Sequence, residues 1–184
     1  MTKTEIERAA PRVPDRLKIA YQLPQAYGVK VEILIKDALD PDCDERLWVP
    51  QGEGVAFRPL VMSASHGYFV NILRVRKAGV LSRHRHAGPV VATTLRGKWR
   101  YLEHDWIAEE GDLAFEPPGE VHTLVVPDDV AEMMTLFHVT GGYIYVDPFG
   151  EALAYEDVFT KIAAMRRHFD AVGLGAAYAD RFIV

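Results

Sequence analysis

With a single cysteine, Cys43, in 184 residues, the chain cannot build an internal disulfide framework, and one thiol suits a reducing compartment. No apolar run approaches the length of a membrane span. Residues 1–16, MTKTEIERAAPRVPDR, lack the apolar stretch of a secretory signal, so a cytoplasmic location is expected. Neither charge sign dominates: 26 acidic side chains face 21 basic ones, a formal charge of −5. That balance offers no basic surface for nucleic acid or an anionic membrane, and neither is expected as a partner. There is no repeat, no low-complexity tract and no glycine-rich, helix-opening loop of the kind that holds phosphate. What remains is 49% apolar and 26% charged residues, the composition of an ordinary globular domain with a core of useful size.

Residues 1–16, with Pro11 and Pro14, read as an arm that is loose or lies on a neighbour. KVEILIK at 30–36 alternates and predicts a strand, and 38–54 reads as loop. From residue 55 short β-branched and aromatic runs follow one another: VAFRPLVM, GYFVNILRVR, VVATTL, KWRYL, LAFE, HTLVV, MMTLFHVT and YIYVD. Turn signals such as Gly88-Pro89, Arg96-Gly97 and Pro117-Pro118-Gly119 separate them. Many short strands at regular spacing predict an all-β sandwich or barrel. Val158, Ile162, Met165, Phe169 and Val172 recur at helical spacing, which predicts an amphipathic helix over 156–172 that stops at Gly173. That apolar stripe reads as packing against the barrel or a second subunit. The chain thus divides into an arm and leading strand at 1–54, a barrel at 55–150 and a helical extension at 151–184, all one structural domain.

Ser82-Arg83-His84-Arg85-His86 carries the chemistry. Alternation in a strand puts His84 and His86 on one face and the two arginines on the other. Two imidazoles on one face can chelate a metal ion, and His122, opening the run HTLVV after the proline turn, supplies a third. An antiparallel barrel can bring that strand across the lumen or beside the first. Three neutral nitrogen donors leave positions open for substrate and for water or oxygen. An HxH pair alone is a weak signal. On a buried barrel face two titratable rings need a reason, because burying them unpaired is costly.

The segments Gly79–Gly97 and Gly111–His122 resemble the two motifs of the cupin superfamily. The first motif falls on Gly79, His84, His86, Val90 and Gly97, with one residue fewer than usual before the histidines. The second falls on Gly111, Pro117, Gly119 and His122, with Val126 where an asparagine is usual. Val90 replaces the family's carboxylate ligand, so the chain is most similar to the three-histidine branch of iron(II) dioxygenases. That branch includes β-diketone-cleaving dioxygenases and 2,4′-dihydroxyacetophenone dioxygenases. The runs Gly97–Trp106, Phe115–Thr123 and Tyr145–Gly150 look most like the latter. The resemblance implies a jelly-roll barrel of the cupin type, with iron(II) held by His84, His86 and His122; zinc, nickel or another divalent metal suits the same donors. It also implies oxygen-dependent cleavage of an aromatic α-hydroxyketone to 4-hydroxybenzoate and formate, in a homodimer or homotetramer. A β-diketone substrate and a non-catalytic zinc-binding sensor stay open as alternatives.

Similar enzymes carry a glutamate at the position of Glu116, which implies that Glu116 hydrogen-bonds to a histidine ligand or to metal-bound water. Accepting the outer N–H of an imidazole would fix its tautomer, and the carboxylate could also take a proton from the hydroxyketone. Glu103 could complete the metal shell that Val90 leaves short; Glu103-His104-Asp105 also reads as a plain turn, the favoured reading. His66 and His104 fall in loops, His138 reads as a core residue of its strand, and His168 reads as a solvated helix residue. Trp99, Tyr101, Trp106, Phe137, Tyr143 and Tyr145 offer aromatic surface that would suit a phenolic ketone.

Overall fold

The structure, a computed structural model, describes residues 15–29, 32–40 and 42–184. The chain separates into two units, Met1–Ile33 and Leu34–Val184. In the first, the described residues include a short 3-10 helix, Asp15–Lys18. The arm expected at 1–16 lies almost wholly outside the described residues.

The second unit is built of short antiparallel strands: β1 (Val49–Gly52), β2 (Val55–Ser63), β3 (Tyr68–Val75), β4 (Gly79–His86), β5 (Val90–Arg96), β6 (Lys98–Tyr101), β7 (Ala108–Glu109), β8 (Leu113–Glu116), β9 (Val121–Val126), β10 (Met133–Thr140), β11 (Tyr143–Val146) and β12 (Ala152–Glu156). They form two six-stranded sheets, in the orders β1-β2-β3-β10-β5-β8 and β12-β11-β4-β9-β6-β7. Two facing antiparallel sheets with these crossovers are the jelly-roll arrangement of a cupin. Each β-branched or aromatic run read from residue 55 onward is a strand. The sheets pass both ends of the span 55–150: β1 precedes it and β12 follows it.

Local chemistry explains the breaks. Pro59 lacks a ladder donor, and the β2–β3 register shifts beside it. Gly97 joins β5 to β6 at φ +70, where a Cβ would lie 2.5 Å from the Glu132 carbonyl oxygen, so only glycine fits. The Gly119 N–H donates to the His86 carbonyl at 2.9 Å and ties the proline turn to the end of β4.

The helix α1 (Val158–Ala171) starts at Asp157, whose side chain accepts from Thr160 N while Thr160 Oγ1 accepts from Asp157 N, a reciprocal capping box. Gly173 at φ +80 follows its end. Val158, Met165 and Phe169 bury against Val49, Phe57, Met62 and Phe69. The fourth buried position is Lys161, one residue from the expected Ile162. No helix among the described residues is long and apolar enough to cross a membrane.

Three expectations are corrected. Val49–Gly52, inside the stretch 38–54 expected to be loop, is strand β1 and pairs with β2. Of the strand expected at 30–36, residues 30 and 31 lie outside the described residues and 32–36 form no strand: the segment alternates, but no strand among the described residues pairs with it, and Leu34 is exposed. His138 is exposed on the outer face of its sheet, because Phe137 and Val139 take the inward positions of β10 and line the cavity.

Candidate metal centre

The three histidines meet through strand register. β4 lies between β9 and β11, with His84 directly opposite His122 on β9. Opposed residues of an antiparallel pair share a face, and His86, two residues on, shares it too. His122 therefore lies beside the first pair within one sheet, not across the lumen. All three imidazoles are buried. One nitrogen of each lies within 4.8 Å of the others, and His84 Nε2 is 3.2 Å from His122 Nε2. Two nitrogens bound to one ion at about 2.1 Å stand roughly 3.0–3.4 Å apart, so His84 and His122 already have the spacing of two ligands of one ion.

The electrostatics agree with that use. Burial, reinforced by His86 and His122, holds the His84 imidazole well below its usual range. Burial pushes His122 down to about 4, against the opposing pull of Glu116. Both rings are neutral at pH 7, the form that donates a lone pair to a metal. Ser82 Oγ meets His84 Nδ1 at 3.3 Å and orients that ring. The Tyr101 ring stacks on His122 at 3.8 Å with an interplanar angle of 4°.

Glu116 comes from the other sheet. It stands opposite Val90 in the β5–β8 register, so a neighbouring strand offers a carboxylate beside the position where the cupin motif usually places one. Its Oε1 accepts from the Tyr101 hydroxyl at 2.7 Å. Its Oε2 lies 3.2 Å from His86 Nε2 and 3.6 Å from His122 Nε2. The carboxylate thus meets the converging nitrogens, not the outer ones. Among the described residues Glu116 Oε2 and the Nδ1 atoms of His86 and His122 are buried polar atoms without a hydrogen-bond partner. Three buried imidazoles converging at one point form a donor set that a divalent cation fits, with a buried carboxylate oxygen beside them.

Glu103 stands in the turn after β6, outside this cluster. It accepts from Thr123 N at 2.7 Å and Thr123 Oγ1 at 2.8 Å, which fastens β9 next to His122. Burial raises its carboxyl, but those hydrogen bonds outweigh it and hold the group below the usual range. His104 pairs with Glu120 at 2.9 Å, and His168 meets the Arg46 carbonyl at 3.0 Å. Arg85 points to solvent, as alternation requires.

His84 and His86 line a cavity of about 370 Å³. Leu81, Leu124, Phe137 and Val139 form its apolar wall. Leu81 and Ser82, adjacent in sequence, both face it because the β4–β9 register slips between Val80 and Ser82. Tyr101, Phe137, Tyr143 and Tyr145 of the expected aromatics line it; Trp99 and Trp106 stand behind Tyr101.

The family model for the ChrR cupin-like domain matches residues 38–143. The chain belongs to that family. An RmlC-like cupin protein from Ralstonia eutropha JMP134 is 26% identical with a TM-score of 0.63, over 68% of this chain and 83% of that one. An acetylacetone dioxygenase from Acinetobacter johnsonii has the same fold at 18% identity and a TM-score of 0.63, over 81% of this chain and 99% of that one. No curated protein matches the chain. The family and the fold fit a metal-dependent cupin in which, among the described residues, the carboxylate at the converging nitrogens comes from β8.

One cavity residue is not marked by any sequence motif. Lys161 lines the cavity from α1, together with Gln51, Tyr143, Tyr145 and Glu156. A lysine at the fourth position of the stripe 158, 165, 169 was the available signal.

Proposed function

We propose that this cupin is a mononuclear non-haem iron(II) dioxygenase that cleaves the carbon–carbon bond of an aromatic α-hydroxyketone. The reaction is 2,4′-dihydroxyacetophenone plus O2 to 4-hydroxybenzoate plus formate, in which the bond between the carbonyl and hydroxymethyl carbons breaks and both oxygen atoms enter the products. One observation carries the reading: three buried imidazoles converge beside the Glu116 carboxylate at the wall of an aromatic-lined cavity of about 370 Å³.

His84, His86 and His122 would hold the iron, and Glu116 is the proposed catalytic residue. Bound iron(II) supplies Lewis acidity toward the ketone and the means to activate oxygen. Glu116 Oε2, free of other hydrogen bonds, takes the proton of the substrate's hydroxymethyl group. The Tyr101 hydroxyl holds the opposite oxygen of that carboxylate and so aims it. Burial and Glu116 hold the Tyr101 phenol well above its usual range, which keeps it a donor. The apolar wall keeps bulk water from the deprotonated ketone.

A β-diketone is the second substrate reading, favoured by the match along nearly the whole acetylacetone dioxygenase chain. The hydroxylated cavity wall supports the larger, polar-tailed ketone instead. Oxygen uptake by iron-loaded protein with 2,4′-dihydroxyacetophenone, 2-hydroxyacetophenone and acetylacetone separates the readings. Uptake with the first ketone and stoichiometric formate is expected. Uptake with acetylacetone alone moves the substrate to the β-diketones, and none with any ketone leaves the non-catalytic zinc-binding role.

A further inference from the structure

Lys161 is buried on α1, with its Nζ 2.5 Å from Glu156 Oε2, 2.9 Å from Gln51 Oε1 and 4.3 Å from the centre of the Phe57 ring. Glu156 Oε2 also accepts from the Tyr143 hydroxyl at 2.5 Å and from Gln51 Nε2 at 3.1 Å. Gln51 Nε2 donates in addition to the Tyr145 hydroxyl at 3.1 Å. Lys161, Glu156, Gln51, Tyr143 and Tyr145 all line the cavity that His84 and His86 line. A helix that merely closed the barrel would be served by leucine or methionine at this position, because well-packed apolar side chains often replace a buried ion pair without loss of stability.

The lysine and glutamate charges cancel. This end of the cavity therefore offers donors and acceptors but no net charge. It matches a hydroxyl group, which both gives and accepts a hydrogen bond, and it disfavours a carboxylate, which would face Glu156. Tyr143 sets the distance. Its ring lies 5.3 Å from the His84 ring and 5.6 Å from the His86 ring, while its hydroxyl reaches Glu156. The polar end is thus one tyrosine side chain from the imidazoles, and a 4-hydroxyphenyl group is the end of a tyrosine side chain.

We infer that Lys161 and Glu156, with Gln51 and Tyr145, form the subsite for an uncharged para-hydroxyl of an aryl ketone and determine the preference for it. This inference rests on the hydroxyketone reading above. The test is calorimetric binding of 2,4′-dihydroxyacetophenone and of 2-hydroxyacetophenone, which lacks only the para-hydroxyl. The protein is loaded with zinc(II), so that no turnover intervenes. Wild type is expected to bind the hydroxylated ketone at least about tenfold more tightly. Lys161→Met alone leaves Glu156 buried without its cation, so the deciding variant is Lys161→Met/Glu156→Gln, which keeps the site uncharged. In that variant the preference falls to within about twofold, while the affinity for 2-hydroxyacetophenone stays within about threefold of wild type. Equal wild-type affinities, a preference that survives in the double variant, or an equal loss for both ketones would each overturn the inference while leaving the ketone reading intact. If neither ketone binds wild type, that reading and this inference fall together.

Discussion

Lowering the pH of the metal-free protein from 7 to 5 should weaken it through its buried histidines. His122 titrates near 4 in the folded chain and near 6.5 unfolded. Between those values the unfolded chain takes up a proton that the folded chain refuses. Stability therefore falls as pH drops below about 6.5 and levels off below about 4. At pH 5 the loss from His122 alone comes to about 2 kcal/mol. His84, lowered in the same direction, adds to it. Urea unfolding followed by tryptophan fluorescence, in chelator and at constant salt, reads the loss directly. Other groups titrate in the same window, so the comparison is with His122→Gln, which has nothing to protonate at that position. Its drop between pH 7 and pH 5 should be smaller by about 2 kcal/mol. Identical pH dependence in the two proteins would refute the argument that His122 is held neutral.

Two further outcomes follow from the same geometry. Glu116→Gln should lower turnover about 100-fold or more while one metal per chain is retained, checked by elemental analysis beside steady-state rates; loss of the metal instead would make Glu116 a ligand rather than a base. Gly142→Ala should cost about 2–3 kcal/mol, read as a fall of roughly 4–12 °C in Tm, because Gly142 sits at φ +108 and a Cβ there collides with the Glu156 carbonyl oxygen.

Much of this site is legible in the sequence. The alternation in Ser82–His86 predicted a shared face for His84 and His86, and the turn chemistry from residue 55 onward predicted the strands around them. What stayed hidden depended on which strands become neighbours. The segment 30–36 alternates like a strand, but alternation does not say whether a partner edge exists, and none among the described residues pairs with 32–36. Alternation along β10 likewise left two choices of inward face, and pairing with β3 and β5 turned His138 out. The resemblance implies that Glu116 hydrogen-bonds to a histidine ligand or to metal-bound water, but only the β5–β8 register reveals that it stands opposite Val90 and meets the converging nitrogens. Lys161 falls outside the apolar stripe Val158, Ile162, Met165, Phe169 and Val172, so helical spacing alone does not mark it. A charged residue on the buried face of a helix demands partners, and here those partners belong to the cavity wall.

The account is tested most directly by turnover of iron-loaded protein with 2,4′-dihydroxyacetophenone under 18O2, with mass spectrometry of both products and His122→Ala as control. It predicts one labelled oxygen in 4-hydroxybenzoate, one in formate, and no products from the variant. Products whose new oxygen comes from water, or no products from fully metallated wild type, would contradict it.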